Sequence, residues 1–464
     1  MEKYDIVFIG AGPGGYVGAI RAAQRGMKTG VVERDAVGGV CLNWGCIPTK
    51  AIIASANACT HAKSLGKLGI EIEGTVSPDP QSIWERKNKI VGTLVKGVNS
   101  LFKSHGVELI RGEAKLIGEK NIQVGSANGA SEIESDNVVL ATGSRPAALP
   151  GIEPDGKLIL TSTDILATPY IPEKLLIVGA GAIGMEFAGI FSAFGSNVTV
   201  VEMMPRPLPM EDEDISTIIA REFKKKKVKI VTGEKIDNIE KKNNYVVANL
   251  SNGDSIEADR VLVSIGRTLN TDGLGLENAG LDRGKRGEIS INEKMETGVP
   301  GIYAVGDCVG GPLLAHVASM GGIVAAENAA GGNRKIDLDI VPACTFSHPE
   351  VGSVGLREWR AKELGIAVRT GKFPIRALGM AQVSGEIAGE VKVVADENMR
   401  VLGMHMVGAG ASTVVHEAAL AIKAGLTVDE CVSMIHAHPS MSEALVEALE
   451  DTHGMAVHLP KQKS

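Results

Sequence analysis

Tyr4-Asp5-Ile6-Val7-Phe8-Ile9-Gly10-Ala11-Gly12-Pro13-Gly14-Gly15 decides the architecture of this chain. The apolar run from Tyr4 to Ile9 reads as a buried parallel strand, and it enters a G-x-G-x-x-G turn without interruption. A helical pattern from Tyr16 to Arg25 follows, then a second strand, Thr29 to Val32, ending at Glu33. The glycines permit a tight turn and let a pyrophosphate approach a helix N-terminus. Glu33, about twenty residues on, is placed to accept hydrogen bonds from a ribose hydroxyl. Pro13 fits, because the first helical turn leaves its N–H unused. A lone G-x-G-x-x-G is weak, but strand, turn, helix, strand and acid in that order are strong.

The pattern returns about 170 residues later. Leu175 to Val178 is a strand, Gly179-Ala180-Gly181-Ala182-Ile183-Gly184 the turn, Met185 to Phe194 a helix, and Val198 to Val201 a strand ending at Glu202. Met203 and Met204 come next, where a 2′-phosphate would want arginine, so NAD is favoured over NADP, with Arg206 the nearby basic residue. Two such units imply two dinucleotides. A flavin dinucleotide beside NAD would connect a hydride to a disulfide.

Between the two units stands Gly38-Gly39-Val40-Cys41-Leu42-Asn43-Trp44-Gly45-Cys46-Ile47-Pro48-Thr49-Lys50. Residues i and i+5 of a helix lie roughly 8–9 Å apart, beyond the ~7 Å a disulfide tolerates. Cys41 and Cys46 could bridge only across a distorted turn, which Asn43, Gly45 and Pro48 favour. A bridge held there would be easy to reduce, as suits a redox carrier. Two ordinary buried thiols are the bland alternative, and the spacing alone leaves it ahead. Zinc fits poorly, since no second cysteine or histidine pair lies nearby.

Composition narrows the class. A chain of 464 residues suggests two to four domains, and 44% hydrophobic with 22% charged residues reads as globular. A net charge of -7 gives no support for nucleic acid or an anionic membrane as partner, and Lys224-Lys225-Lys226-Lys227 reads as a solvated helix end. No apolar span reaches membrane length, Met1-Glu2-Lys3-Tyr4 carries no signal pattern, and six cysteines make no secreted disulfide framework. A reducing, cytoplasmic setting is the expectation.

Further along, helices are expected from Ala51 to Lys63 and from Ile83 to Ser104, and Asn137 to Gly143 reads as a strand ending in Ala141-Thr142-Gly143. Pro146, Pro150, Pro154, Pro169 and Pro172 mark an inter-domain crossing. Val261 to Arg267 reads as a strand returning toward the first unit, and Thr297 to Asp307 as another ending in glycine and a carboxylate. Asp307 could accept from a sugar-like hydroxyl or simply cap the next helix. From about Val341 the pattern becomes α+β, with strands Gly389 to Val394 and Val401 to Val407 and helices Thr413 to Ala424 and Ser440 to Ala448. Within it lies Ile435-His436-Ala437-His438-Pro439-Ser440-Met441-Ser442-Glu443. A histidine can take and return a thiol proton, and a carboxylate five residues on could orient it. A metal held by His436 and His438 would lack further ligands.

Taken together, these stretches resemble the flavoprotein disulfide reductases, most closely their dihydrolipoyl dehydrogenase branch. The resemblance rests on GAGPGGY, GGVCLNWGCIPTK, ATGSRP, GAGAIGMEFAGIF, VVEMMPRPLPMEDEDI, GIYAVGDC with AHVASMGG, and HAHPSMSE, and so covers nearly the whole chain. It implies an α/β fold of two Rossmann-like dinucleotide-binding domains, for FAD and NAD, plus a C-terminal α+β dimerisation domain. The implied division is 1–150 for FAD (first part), 151–270 for NAD, 271–340 a central domain completing the FAD region, and 341–464 the interface. FAD would rest on Gly10, Gly12, Gly15, Glu33, Ala141, Thr142, Gly143 and Asp307, and NAD on Gly179, Gly181, Gly184 and Glu202, with Gly266 and Ala315 as further cofactor contacts. The resemblance also implies a Cys41–Cys46 redox disulfide, Cys46 against the flavin and Cys41 exchanging with substrate. Lys50 would pair with Glu186 near flavin and nicotinamide, and His438, held by Glu443, would be the acid/base supplied by the partner subunit of a homodimer. Its implied activity is oxidation of protein-bound dihydrolipoamide by NAD+, the partner protein being a lipoyl-bearing acyltransferase or a glycine cleavage carrier. A related NADH-dependent disulfide or quinone reductase, or a catalytically silent scaffold of a complex, are the alternatives. Trp44 and Cys344-Thr345-Phe346-Ser347-His348-Pro349-Glu350 depart from the family wording without touching an expected catalytic role, and the tail after Glu450 lacks the vicinal cysteines of a mercuric reductase. An N-terminal lipoyl domain is not expected.

Overall fold

A computed structural model describes residues 1–126 and 129–461. Its organising element is a parallel stack in which Thr29–Glu33, Glu2–Ile9 and Gly129–Leu140 lie side by side. Ile6, Val7 and Phe8 are fully buried, as expected of a parallel strand covered on both faces. Glu108–Arg111 extends one edge, Asn121–Ser126 and Glu113–Leu116 continue the other in antiparallel fashion, and Ile302–Ala304 adds beside Val138–Leu140. Helices Pro13–Gln24 and Ala315–Ala329 pack on one another over this sheet.

A second parallel sheet repeats the plan with Lys229–Thr232, Asn197–Glu202, Lys174–Val178, Arg260–Val263 and Ile159–Leu160 in that order. Helices Ala182–Phe194 and Glu213–Lys225 flank it, and an antiparallel three-stranded sheet (Ile236–Lys241, Val246–Leu250, Ser255–Ala258) covers its remaining face through Ile236, Val246 and Ala248. The third unit is a five-stranded antiparallel sheet, ordered Ala343–Thr345, Val351–Gly355, Val401–Val407, Glu390–Ala395, Arg369–Pro374, with helices Ala411–Ala424 and Glu443–Asp451 packed against it. This is the α/β arrangement with an α+β C-terminal unit that the sequence implies.

Several boundaries move for physical reasons. The strand expected from Asn137 stops at Leu140, so Ala141, Thr142 and Gly143 form the loop beyond it, Gly143 with φ +68°. Val261–Arg267 is not one strand. Ser264 N–H donates to the Val178 carbonyl (2.8 Å), Gly266 takes φ +127°, and Arg267–Leu269 then pairs antiparallel with Ser144–Pro146. The strand expected over Thr297–Asp307 is confined to Ile302–Ala304, and the last helix begins at Glu443 rather than Ser440. Lys226 is not solvated as the tetralysine run suggests. It is half-buried, donates to the His348 carbonyl, and lies 5.6 Å above the Phe223 ring.

One ion cluster joins the second and third units. Lys392, 2% exposed, reaches Asp212 (3.1 Å), Asp214 (3.1 Å) and Glu358 (2.7 Å), while the backbone N–H groups of Glu358 and Trp359 donate to Asp212. Removing one member of a buried charge network strands the rest, at a cost of about 3–5 kcal/mol. Lys392→Met should lose stability on that scale in denaturant titrations; an unchanged midpoint would refute the clasp. Burial opposes ionisation of Asp214, but Lys372 and Lys392 outweigh it and hold the carboxyl below its ordinary value. Its contribution is therefore complete above the ordinary carboxylate pKa of about 4 and disappears as pH falls further.

Candidate active site

The two fingerprint turns agree in detail. Gly10 and Gly179 both adopt positive φ (+105° and +100°), where a side chain would be strained. A Cβ on Gly15 would stand 1.8 Å from the Gly10 carbonyl oxygen, and one on Gly184 1.9 Å from that of Gly179, so each turn closes against its own helix. Gly12 and Gly181 differ: a Cβ there would meet nothing within 4 Å. Each precedes a helix with no side-chain cap and no acid in its first turn. A helix start of this kind, with its first N–H groups beyond the reach of intrahelical carbonyls, is where a pyrophosphate can sit.

The acids at the ends of the second strands are buried and already engaged. Glu33 accepts from Ala11 N–H (2.7 Å) and Asp35 N–H (2.8 Å); Glu202 accepts from Ala180 N–H (2.7 Å) and Met204 N–H (2.8 Å). Each carboxylate is fixed at the lip of its turn by the backbone, and a carboxylate has lone pairs beyond those two bonds. Met203 and Met204, both exposed, border the second acid.

Asp307 is not the cap of the following helix, which starts at Ala315 after an N-cap at Leu314. It lies in a short 3-10 turn, accepts from Ser144 Oγ, and is 3.6 Å from Arg267 Nε. Arg267 in turn donates to Ser144 Oγ (2.6 Å) and to its carbonyl (2.9 Å). Ser144 and Arg267 were not among the expected site residues. The signal available was an arginine closing V-L-V-S-I-G-R beside A-T-G-S-R-P. Gly266 and Ala315 flank the same region at loop and helix N-terminal positions.

Around the cysteines the chain forms two helices, Gly39–Trp44 and Cys46–Ser64, broken at Gly45 (φ −138°, ψ −113°). Asn43 Nδ2 ties the first helix back by donating to the carbonyls of Val37 (3.0 Å) and Gly39 (2.9 Å). The break lets Cys41 and Cys46 meet, as free thiols sharing a hydrogen bond. That bond, helped by Lys50 and opposed by burial, holds the Cys46 thiol down to about 7, while the same bond and burial push Cys41 far up. One sulfur is thus poised as thiolate and the other as its proton donor.

Lys50, one turn beyond Cys46, places its ammonium 2.8 Å from both oxygens of Glu186, which is 5% exposed on helix Ala182–Phe194. The expectation that the Cys344–Glu350 stretch leaves the site untouched is corrected here: Phe346 N–H donates to Glu186 Oε1 (3.0 Å), and the Phe346 ring lies 4.6 Å from Lys50 Nζ. For Trp44 the structure gives only a half-buried position at the end of its helix.

His438 stands apart. It is exposed, and its Nδ1 is 2.8 Å from Glu443 Oε1, while Ser440 N–H donates to the other oxygen (2.7 Å). Burial alone would raise the Glu443 carboxyl, but these two bonds keep it below its ordinary value. Among the described residues, no hydrogen bond or ion pair joins His438 to Cys41 or Cys46 of the same chain. His436 is taken by Glu417 (2.6 Å) and the Met434 carbonyl, and no cluster of three metal-ligating side chains occurs among the described residues. Nor is any described helix long and apolar enough to cross a membrane.

Comparison with known proteins agrees with this geometry. The chain is 42% identical to the dihydrolipoyl dehydrogenase of Bacillus subtilis, over 98% of this chain and 99% of that one. It is 40% identical to that of Rhizobium etli, again over 98% and 99%. Among solved structures, LpdA of Mycobacterium tuberculosis superposes with a TM-score of 0.90 at 31% identity, covering 97% of this chain and 99% of that one. RclA of Escherichia coli, an HOCl-induced flavoprotein disulfide reductase solved as a Cu(II) complex, gives 0.88 at 28% identity over 97% and 99%. Residues 341–449 match the family's dimerisation domain, so the chain pairs with a second copy of itself. Residues 4–322, which hold both turns, both cysteines and the Lys50–Glu186 pair, match the pyridine nucleotide-disulphide oxidoreductase model, and the chain belongs to that family.

Proposed function

We propose that this chain oxidises protein-bound dihydrolipoamide to lipoamide with NAD+, using FAD and the Cys41–Cys46 pair. The observation that carries the reading is the hydrogen-bonded thiol pair next to a Lys50–Glu186 ion pair, with a dinucleotide cradle on either side in sequence. Relatives about 40% identical over nearly their whole length are dihydrolipoyl dehydrogenases. When bound, the two dinucleotides supply the two-electron path from sulfur to nicotinamide. FAD is assigned to the Gly10–Gly15 cradle with Glu33, the Ala141–Gly143 loop, Asp307 and Ala315, and NAD to the Gly179–Gly184 cradle with Glu202 and Gly266.

The protein's own groups handle sulfur and protons. With Nδ1–H donated to Glu443, His438 keeps Nε2 free as a base, which on this reading serves the cysteines of the partner subunit. His438 removes a proton from the substrate dithiol, and the thiolate attacks Cys41 Sγ of a Cys41–Cys46 disulfide. That S–S bond breaks and leaves Cys46 as thiolate, the state that Lys50 and the Cys41 thiol favour. The second substrate thiol then displaces Cys41, closing the lipoamide disulfide as its proton passes to the departing Cys41 sulfur; His438 holds the first proton, and two electrons now reside on the pair. The proposed protein partner is a lipoyl-bearing acyltransferase or glycine cleavage carrier, and a cytoplasmic, reducing location suits a reducible pair.

Cys41→Ser should retain FAD yet lose dihydrolipoamide oxidation; full turnover would sink the mechanism. His438→Gln should slow turnover by roughly 10²–10⁴-fold, as expected for a lost acid/base. Gly12→Ala should fold, because its Cβ meets open space, but lose FAD, visible as absent flavin absorbance in a protein of normal circular dichroism. The matching Gly181→Ala should keep FAD and raise KM for NAD+. Turnover with glutathione disulfide and none with dihydrolipoamide would favour the related disulfide reductase instead.

A further inference from the structure

Phe346 sits just after Ala343–Thr345 of the third unit, on the segment that leads into Val351–Gly355. Its ring packs on the core shared by Ile52 and Ile53 of the Cys46 helix, Met185 and Phe187 of the Glu186 helix, and Val351. Lys50 Nζ therefore lies between the Glu186 carboxylate at 2.8 Å and the Phe346 ring at 4.6 Å. The backbone N–H of the same phenylalanine fixes one oxygen of that carboxylate. From behind, Lys226 Nζ donates to the His348 carbonyl and Ser347 Oγ to the Pro349 carbonyl (2.7 Å), which anchors the segment. An aromatic face attracts an ammonium and brings no proton or charge of its own to the site.

We propose that Phe346 is a positioning residue of the redox centre: it holds Lys50 against Glu186 and through Lys50 sets how readily Cys46 ionises. This rests on Cys41 and Cys46 being the redox pair. The groups acting on Cys46 are Cys41, Lys50 and Glu186, and from the third unit Cys344, itself under the influence of Glu350 and Glu211, faces Lys50. Burial pushes the Cys344 thiol up to about 11, so near neutral pH it stays uncharged and does not compete for the ammonium.

The test is a pH titration of the long-wavelength thiolate-to-flavin absorbance in the reduced, FAD-containing dimer. Phe346→Leu keeps the backbone N–H but removes the aromatic face. Its midpoint should rise by about half a unit to one unit, or roughly three- to tenfold less thiolate below the midpoint. Phe346→Tyr should restore the wild-type midpoint. Lys50→Met should raise it alone, and adding Phe346→Leu to that background should move it no further. Should the leucine variant fail to retain FAD, Phe346→Met carries the same comparison. An unchanged midpoint in Phe346→Leu, a tyrosine variant shifted equally, or a shift persisting without Lys50 overturns the proposal while leaving the redox pair intact. Absence of the band in the wild-type protein overturns the redox-pair reading and this proposal with it.

Discussion

The contact on which this structure turns is the ion pair between Lys50 and the nearly buried Glu186. Each belongs to a different dinucleotide unit, and neither can leave without stranding the other's charge at low dielectric. The pair spans 136 positions of sequence and sits one helical turn from Cys46, so the relative placement of the two units and the charge at the sulfur are one constraint. Phe346 extends that constraint to the third unit. Core packing follows the same lines: Ile52, Met185 and Val351, one from each unit, share a single apolar cluster.

Function and stability draw on different glycines of one motif. Gly15 and Gly184 are needed because a carbonyl already occupies the space a side chain would take. Gly12 and Gly181 face empty space, so the fold itself makes no demand for glycine there; on the proposed function the demand comes from a ligand. That distinction is invisible in the letters G-x-G-x-x-G and needs coordinates.

Much of the site was legible in sequence because its logic is local. The turns, Glu33 and Glu202 announce themselves within about thirty residues of strand-turn-helix-strand pattern. The Cys41–Cys46 spacing called for a broken helix, and the break sits at Gly45. His438 and Glu443 lie five residues apart and do hydrogen-bond. What escaped notice depends on distant segments meeting. Asp307 is gripped by Ser144, 163 positions earlier, and Ser144 is itself reached by Arg267 across 123 positions. The strand expected through Arg267 ends at Val263, and Gly266, at φ +127°, turns the chain into a separate strand from Arg267. Lys226 looked solvated in a run of four lysines, yet the third unit covers it. Phe346 carried no local signal at all, since its partners stand 160 residues and more away.

The exposed position of His438 has a further meaning for how the protein exists in solution. If the base serves the other subunit, each chain owns two half-sites and no whole one. A mixed dimer of one chain lacking Cys41 and one lacking His438 then contains one doubly damaged site and one intact site, so two dead homodimers yield a half-active hybrid. Dilution acts in the opposite direction, parting sulfur from base without unfolding either chain. The subunit contact is then an on-off element of the chemistry as well as a source of stability.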